Sequence, residues 1–520
     1  MSVWTRAGKA LRRMWSPPDA RAIRFAGGAH SRLVTGWMTE LSSMNDALRI
    51  SLPTLRARSR SLVEDNGEAA GLLLDFESDI VGAHGARLQF RAMTPRGKPR
   101  DPLNDRVETA WRRWSKRDRC TVACDHDFAS LQRLLMRTVV CDGEFLALRV
   151  RDPDVPFGYQ LQPVDPDQLD DTYNIASDSA GVSIVMGVEV DRRGKPLAYH
   201  LWDRHPGDSG RRRERVPADR VLHVFKRLRA GQVRGVPWFA PSLIAWKLGD
   251  RYTEAELYQS LLAAAQGGFF VNRDGTAPLA TPTRINPQTG QEEAIPLEMQ
   301  AAPGEARQLP AGWEFQSWSP THPTANYVGF MQAVKRGIAR AFGRSYASLT
   351  GDLSQVNFSS MRTDRVREIE QNKLHQSDLI VSQCCDVVFA DWVRMASLVG
   401  ALGAVNTDSE SLVAFAHWMG KGWPWIDPLK DMAAAELEIK NGLTSRQDLC
   451  AARGRDFWEV VDALAEEAEY AKAKGVTLGD VPAALPDDAD ESDDDETPAP
   501  SEDARHLSRP PLRALRSASQ

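Results

Sequence analysis

Residues 326–344 read NYVGFMQAVKRGIARAFGR. Met331, Val334, Ile338, Ala341 and Phe342 recur at helical spacing and make one apolar face. Arg336, Arg340 and Arg344 recur every four residues, which predicts that they line up along the opposite side. With a rise of about 1.5 Å per residue, their guanidinium groups stand roughly 6 Å apart along the axis. Charged stripes are ordinary on solvated helix faces, so the stripe alone leaves two readings open. It is a solvated surface, or several copies of the helix line a pore and stack rings of positive charge. Such rings meet phosphates by Coulomb attraction and read no bases.

Working outward, Leu243 to Ala265 is a long helical stretch without proline, ending at Gly267-Gly268 as a C-cap. Between the two helices, Phe269 to Thr324 is rich in Pro, Gly, Thr and Gln. Its strand-like runs, Phe269-Phe270-Val271 and Trp313-Glu314-Phe315, carry aromatic residues that need burial, which predicts a small β insertion rather than a linker. Downstream, a loop from Thr350 to Phe358 leads into the longest helical pattern of the chain, Ser359 to about Leu398. Asn357 or Ser359 is placed to cap its start.

Upstream, residues 1 to about 50 are irregular, as an arm would be. Leu62, Val63, Ala69, Ala70, Leu73 and Leu74 then recur at helical spacing across Asn66-Gly67, which predicts two helices or a kinked one. Helical patterns follow at Asn104 to Trp114 and Phe128 to Val140. Strand signals run over Phe145 to Val150, Tyr159 to Pro163, Ile184 to Val190, Leu197 to Trp202 and Val221 to Phe225. Asp191 to Gly194 reads as a hairpin turn. The last folded piece opens at Asp427-Pro428. Asn441-Gly442 ends one helix, Thr444 to Gln447 has the form of a capping box, Asp456 is placed to cap a further helix, and Gly475 stops it. Beyond it Pro, Asp, Glu and Ser dominate, which predicts a disordered tail. The fold class expected is α+β, mainly helical.

The 520 residues carry 42% apolar and 26% charged residues, with 65 Lys and Arg against 70 Asp and Glu. The formal charge of -5 does not advertise nucleic-acid binding, yet the acid is concentrated between Asp487 and Glu496, so the body is near neutral or slightly basic. Leu379 to Val399 is the most apolar stretch, and Asp386, Asp391 and Arg394 interrupt it, so no membrane contact is expected. Arg6, Lys9, Arg12 and Arg13 leave no apolar segment of a signal peptide. Cys120, Cys124, Cys141, Cys384, Cys385 and Cys450 form no Cys-x-x-Cys pair and read as buried, reduced thiols.

Catalytic signatures are missing. No run has the form of a phosphate cradle; Gly420-Lys421-Gly422 comes nearest, and Trp423 follows where a hydroxyl residue is needed. Asp142 with Glu144, and Asp165 with Asp167, are spaced closely enough to suggest a metal-dependent nuclease. Their plain reading is solvated carboxylates at strand ends. The ten histidines are scattered, and there is no Gly-x-Ser-x-Gly elbow. The expectation is a non-enzymatic protein with no cofactor and no metal. Arg211, Arg212, Arg213 and Arg215 read as an exposed basic loop.

Over about Leu52 to Gly475 the chain resembles the lambda family of phage portal proteins. The segments that carry the resemblance begin with Leu55 to Val63, Asn66-Gly67, Asp79 to Gly82 and Gly143-Glu144-Phe145. They continue through His223-Val224-Phe225, Gly231 to Val236 and Gly343 to Leu349, and close with Gly442 to Ser445 and Cys450 to Gly454 with Asp456. Their shared order makes the match specific; the stretch after Arg204, the β insertion and the acidic tail depart from it.

The resemblance implies a cyclic ring, typically a dodecamer, at one capsid vertex. It implies an N-terminal arm at 1–50, a wing at 51–240, a first stem helix at 241–268, a clip at 269–325 and a second stem helix at 326–345. The tunnel loop and long wing helix would occupy 346–426, the crown 427–475 and the tail 476–520. Arg336, Arg340 and Arg344 would line a DNA channel, and Gly351, Asp352, Ser354, Gln355 and Asn357 would form the tunnel loop at its constriction. Implied partners are double-stranded DNA held without sequence preference, the terminase large subunit, major capsid and scaffold proteins, and head-completion or adaptor proteins. The place implied is the virion vertex, after assembly in the host cytoplasm. The alternatives are another head–tail connector ring, and a metal-dependent nuclease using Asp142 and Glu144.

Overall fold

The first described helix, α1 (Met44–Asp65), begins inside the stretch expected to be an irregular arm. The computed structural model describes residues 41–93, 101–177, 181–264, 268–272, 283–285, 290–294, 313–317, 327–354, 356–403, 409–424 and 427–476. The rest of the arm, most of the β insertion and the acidic tail lie outside the described residues. Ser43 caps α1 by accepting from the Asp46 amide, and Pro53 sits inside the helix. Proline in a helix interior is costly in isolation. Here Leu48 and Leu52 are buried with Met186, and that packing outweighs the local preference.

Asn66 ends α1 and, through its side chain, caps α2 (Gly67–Phe76), so the break expected at Asn66-Gly67 is present. A π-helical turn, Glu77–Val81, extends α2. Strand β1 (Arg87–Phe90) precedes α3 (Asp101–Trp114), the short α4 (Arg117–Cys120) and α5 (Phe128–Asp142). Strands β2 (Glu144–Arg151) and β3 (Tyr159–Val164) follow. Then come β4 (Ser183–Val185), β5 (Val188–Val190), β6 (Pro196–Trp202), β7 (Arg213–Pro217) and β8 (Val221–Phe225). Strand β2 lies between β3 and β8, antiparallel to both, and β4 to β7 form a four-stranded meander. The stretch expected as one strand, Ile184 to Val190, is a hairpin, because Met186 and Gly187 take φ of 47° and 80° and turn the chain. The basic cluster is not all loop either: β7 begins at Arg213. Arg213 lies over the Tyr173 ring at 3.7 Å and pairs with Asp170, while Arg215 pairs with Glu189.

Helix α6 (Leu243–Ala264) leads to β9 (Gly268–Asn272), β10 (Thr283–Ile285), β11 (Glu292–Ala294) and β12 (Trp313–Ser317). Strands β9 and β12 pair antiparallel with Phe270 opposite Phe315, so the two aromatic runs find each other. Then come α7 (Tyr327–Ala341), the short α8 (Tyr346–Thr350) and α9 (Phe358–His375), which Asn357 caps. A π-helical segment, Gln376–Cys385, joins α9 to α10 (Asp386–Leu398). After α11 (Ser409–Val413), strand β13 (Ala416–Met419) returns to pair with β1.

The main core gathers where α3, α5 and α10 meet. Trp111 stands 4.7 Å from Trp114 and 5.0 Å from Trp392, the latter edge-on. The Trp114 indole N–H donates to the Tyr159 carbonyl at 2.7 Å, which satisfies the polar end of a fully buried ring. Cys120, Cys141, Cys384 and Cys385 are buried free thiols as expected, whereas Cys124 is exposed.

Helices α12 (Pro428–Lys440), α13 (Arg446–Ala452) and α14 (Phe457–Lys474) complete the described chain. The capping box of α13 is one residue later than the sequence pattern suggests: Ser445 and Asp448 bond each other's backbone amides. The chain divides into two compact units, one through Phe457 and one from Trp458. No described helix is long and apolar enough to cross a membrane.

Candidate functional site

Helix α7 carries the arginine stripe. Met331 and Ile338 are buried beneath it, and Val334 packs against the core. On the facing helix the Tyr252 ring stands 5.6 Å from Tyr327 and 5.3 Å from Phe330, and the Tyr327 hydroxyl meets that of Thr253 at 3.2 Å. Lys335 pairs with Glu68 of α2. With the apolar face occupied, Arg336 and Arg340 are left exposed. Arg336 lies 5.6 Å over the Tyr346 ring, and neither arginine forms an ion pair among the described residues.

Arg344 does not belong to that stripe. The helix ends at Ala341, and Gly343 takes φ of 71°. The Arg344 amide bonds the Ala339 carbonyl at 3.0 Å, closing the end of the helix, so the four-residue period stops there. The chain turns inward and the Arg344 side chain is 3% exposed. It bonds Asp79 at 2.9 Å and Asn372 at 3.2 Å, sits 3.5 Å from Glu368, and stacks over Phe76 at 4.5 Å. A guanidinium so enclosed is unavailable to a channel within this subunit.

Asp79 is the centre of this cluster. Arg365 bonds both its oxygens at 3.1 Å, and Lys421 stands at 3.6 Å. Burial pushes the Asp79 carboxyl up, but the Arg365 bonds and the charges of Arg344, Arg365 and Lys421 outweigh it and hold the group below its ordinary range. Glu368 accepts from the Ser345 amide at 2.9 Å and the Ser348 hydroxyl at 2.8 Å, which ties α8 to α9. The sequence reading missed Asp79, Glu368 and Asn372 as a group, because Asp79 lies on the π-helical turn after α2, far along the chain from Glu368 and Asn372 on α9.

The loop expected at residues 351–357 leaves this anchored base. Gly351, with φ of 71°, closes α8. Asp352 accepts from the Ser354 amide at 3.0 Å and its hydroxyl at 2.6 Å, and Asn357 accepts from the Ser360 amide at 2.8 Å. Gln355 lies outside the described residues.

The carboxylates that suggested a nuclease are held by arginines. Glu144 is fully buried, and its oxygens take Arg56 at 2.9 Å, Arg234 at 2.6 Å, His223 at 3.0 Å and the Gly235 amide at 2.7 Å. Burial pushes the Glu144 carboxyl up, yet Arg234, then His223 and Arg56, hold it well below the carboxylate range. Asp142 is bonded by Arg60 at 2.7 Å. Asp167 is bonded by Arg56 at 2.6 Å and Arg60 at 2.7 Å, and Asp165 by Arg60 at 3.0 Å. Asp165, Asp167 and His205 lie close enough together for a cation, but Arg56 and Arg60 hold both Asp167 oxygens and Arg60 holds one of Asp165. The arginines neutralise the charge that would draw a cation there.

Carboxylates held by arginines, beside an exposed and unpaired arginine pair on a supported helix, fit a structural, non-enzymatic connector rather than a nuclease or a motor. Residues 30–376 match the family described as "Phage portal protein, lambda family", and the chain belongs to that family. The "Probable portal protein" of Halomonas phage phiHAP-1 is 30% identical over 489 residues, covering 91% of this chain and 92% of that protein. "Portal protein B" of Escherichia phage lambda is 23% identical over 482 residues, covering 86% and 90%. Among solved structures, a chain from the "Neck of native GTA particle computed with C12 symmetry" is 15% identical with a TM-score of 0.41, covering 76% of this chain and 93% of that one.

Proposed function

We propose that this portal subunit assembles into a dodecameric ring whose channel is lined by α7, with Arg336 and Arg340 forming rings of positive charge around duplex DNA. The observation that carries this reading is the pair's exposure, free of carboxylate partners among the described residues, on the side of α7 opposite Met331 and Ile338. Unpaired guanidinium groups keep their charge available to phosphates. In this reading α6 and α7 are the two stem helices and 269–325 is the clip on which the terminase large subunit docks during packaging. Head-completion or adaptor proteins take that place afterwards. Capsid and scaffold proteins meet the wing, 51–240, during assembly in the host cytoplasm. The terminase supplies the hydrolysis; the portal guides and retains the duplex. The tunnel loop from Gly351 to Asn357 narrows the channel, held at its base by Glu368 and Asn357.

The test is the double variant Arg336→Gln, Arg340→Gln in a packaging assay with rings verified by electron microscopy. Rings form normally while packaged DNA yield or retention falls. Normal packaging and full retention would sink the channel assignment. Arg344→Gln is expected to behave differently, since it removes the most buried of the cations that hold Asp79 and lowers the stability of the subunit.

A further inference from the structure

Beside the end of α7 lies an open-sided cavity of about 450 Å³, bounded by the chain after β8 and by α9. Lys226, Arg340, His375, Gln371 and Trp238 line it, with no carboxylate among the lining residues. Its remaining walls, Phe342 and Leu374 among them, are apolar. Lys226 holds its ammonium 4.9 Å over the Trp238 ring, and the His375 ring stands 4.7 Å from the same indole. Neither Lys226 nor Arg340 forms an ion pair among the described residues, and the buried Trp238 indole N–H has no acceptor there. Elsewhere in this subunit partly buried cations are neutralised, as Arg56, Arg60 and Arg344 are. A half-buried ammonium and an exposed guanidinium at the rim of one cavity, neither paired with a carboxylate among the described residues, make a positive site that an incoming anion would meet.

We propose that this cavity is a phosphoester-binding site, in which Lys226 and Arg340 hold the phosphate oxygens and Trp238 with His375 forms an aromatic wall beside it. Arginine meets phosphate oxygens through paired N–H groups and lysine meets them as a point charge. The apolar and aromatic walls suit the organic part of an ester better than a hydrated bare ion, and the volume falls in the range of small-molecule sites. Burial pushes the Lys226 ammonium down, against the pull of Asp378, and a bound phosphate would act in the same direction as Asp378. The phosphate comes from the backbone of DNA in the channel or from a free phosphoester. The first source rests on the assignment of Arg340 to the channel; the second does not.

The experiment uses the full-length assembled protein and measures binding of two probes, the phosphoester phenyl phosphate by calorimetry and a fluorescent short duplex by anisotropy. The variants are Lys226→Gln, Lys226→Arg and, on the exposed hairpin turn away from the cavity, Lys195→Gln. Lys226→Gln weakens phenyl phosphate binding about ten-fold, Lys226→Arg restores most of it, and Lys195→Gln leaves it unchanged. A parallel loss of duplex affinity in Lys226→Gln assigns the site to the DNA backbone; unchanged duplex affinity assigns it to a free phosphoester. The proposal is overturned if the wild-type ring binds no phenyl phosphate, or if Lys226→Gln binds it as the wild type does. Failure of the channel reading shows elsewhere, as normal packaging by the Arg336, Arg340 variant while the wild type still binds phenyl phosphate.

Discussion

Glu144 shows how far a residue's surroundings can invert its apparent role. By spacing it pairs with Asp142 as a candidate metal ligand, and in the fold it is a buried anion shared by Arg56, Arg234 and His223. With its Nε2–H donated to Glu144, His223 accepts from the Tyr199 hydroxyl at Nδ1, 3.3 Å away, so every polar atom of the pair is used. Removing one partner of such a cluster leaves buried charge uncompensated. Arg234→Met is therefore expected to cost on the order of 3–5 kcal/mol, read from the urea midpoint; a loss below about 1 kcal/mol would show that Arg56 and His223 suffice. His375 makes a second case. Burial, then the charges of Lys226 and Arg344, lower its imidazole from 6.5 to about 4. A base depressed in the folded state contributes stability that is complete above its unfolded value and is lost as pH falls toward the folded one. In phosphate-free buffer the subunit should lose roughly 2–3 kcal/mol between pH 7 and pH 4 through this group. His375→Phe, which keeps the ring beside Trp238, should remove that part of the acid dependence; an unchanged pH profile would locate the acid sensitivity elsewhere.

At the scale of elements, the end of α7 decides which arginines share a face. The stripe of Arg336, Arg340 and Arg344 was legible as a period, but a period persists only while the helix does. Gly343 ends it: the left-handed conformation suits glycine, and a Cβ there would lie 2.0 Å from the Gln371 side-chain oxygen. Gly351 has the same φ of 71° with open space around it. Gly351→Ala is thus expected to cost only the backbone term, about 1 kcal/mol, and Gly343→Ala measurably more. Equal shifts in thermal midpoint for the two variants would show that the Gln371 contact carries no weight. The start of α1 makes the converse point. The mixed composition of residues 1 to about 50 suggested an arm, and burial of Leu48 and Leu52 beside Met186 carried the helix back to Met44.

At the scale of the molecule, α6 is left bare by the single subunit. Trp246 and Gly249 are buried on it, while Ile244 is 76% exposed, Leu248 60% and Leu261 66%. Ile244 and Leu248 line a cavity of about 570 Å³ against α1, flanked by Arg58, Asp65, Lys247 and Asp250. Contiguous exposed apolar surface of this kind marks an interface, and in a ring-forming portal its natural cover is the neighbouring subunit. The variant Ile244→Asp, Leu248→Asp is expected to keep the circular dichroism of the folded chain and to sediment as monomers under conditions where the wild type forms rings. Rings of wild-type size would remove α6 from the interface.

The sequence by itself determined the order of elements, helix, β insertion, helix, loop and long helix, because amphipathic period, proline and glycine punctuation and capping residues act within a few positions of one another. The same local signals, kept in order from Leu52 onward, placed the chain among the lambda-type portal proteins. Only the tertiary structure decided which charged residues are free. Arg336 and Arg340 remain exposed, and Arg344 is spent on Asp79, 265 positions away in the chain. Glu144 meets Arg234 across 90 positions, and Lys226 and His375 come to one cavity from separate elements. Coulomb pairing and burial depend on distance in space, and no pattern of neighbours along the chain encodes that distance.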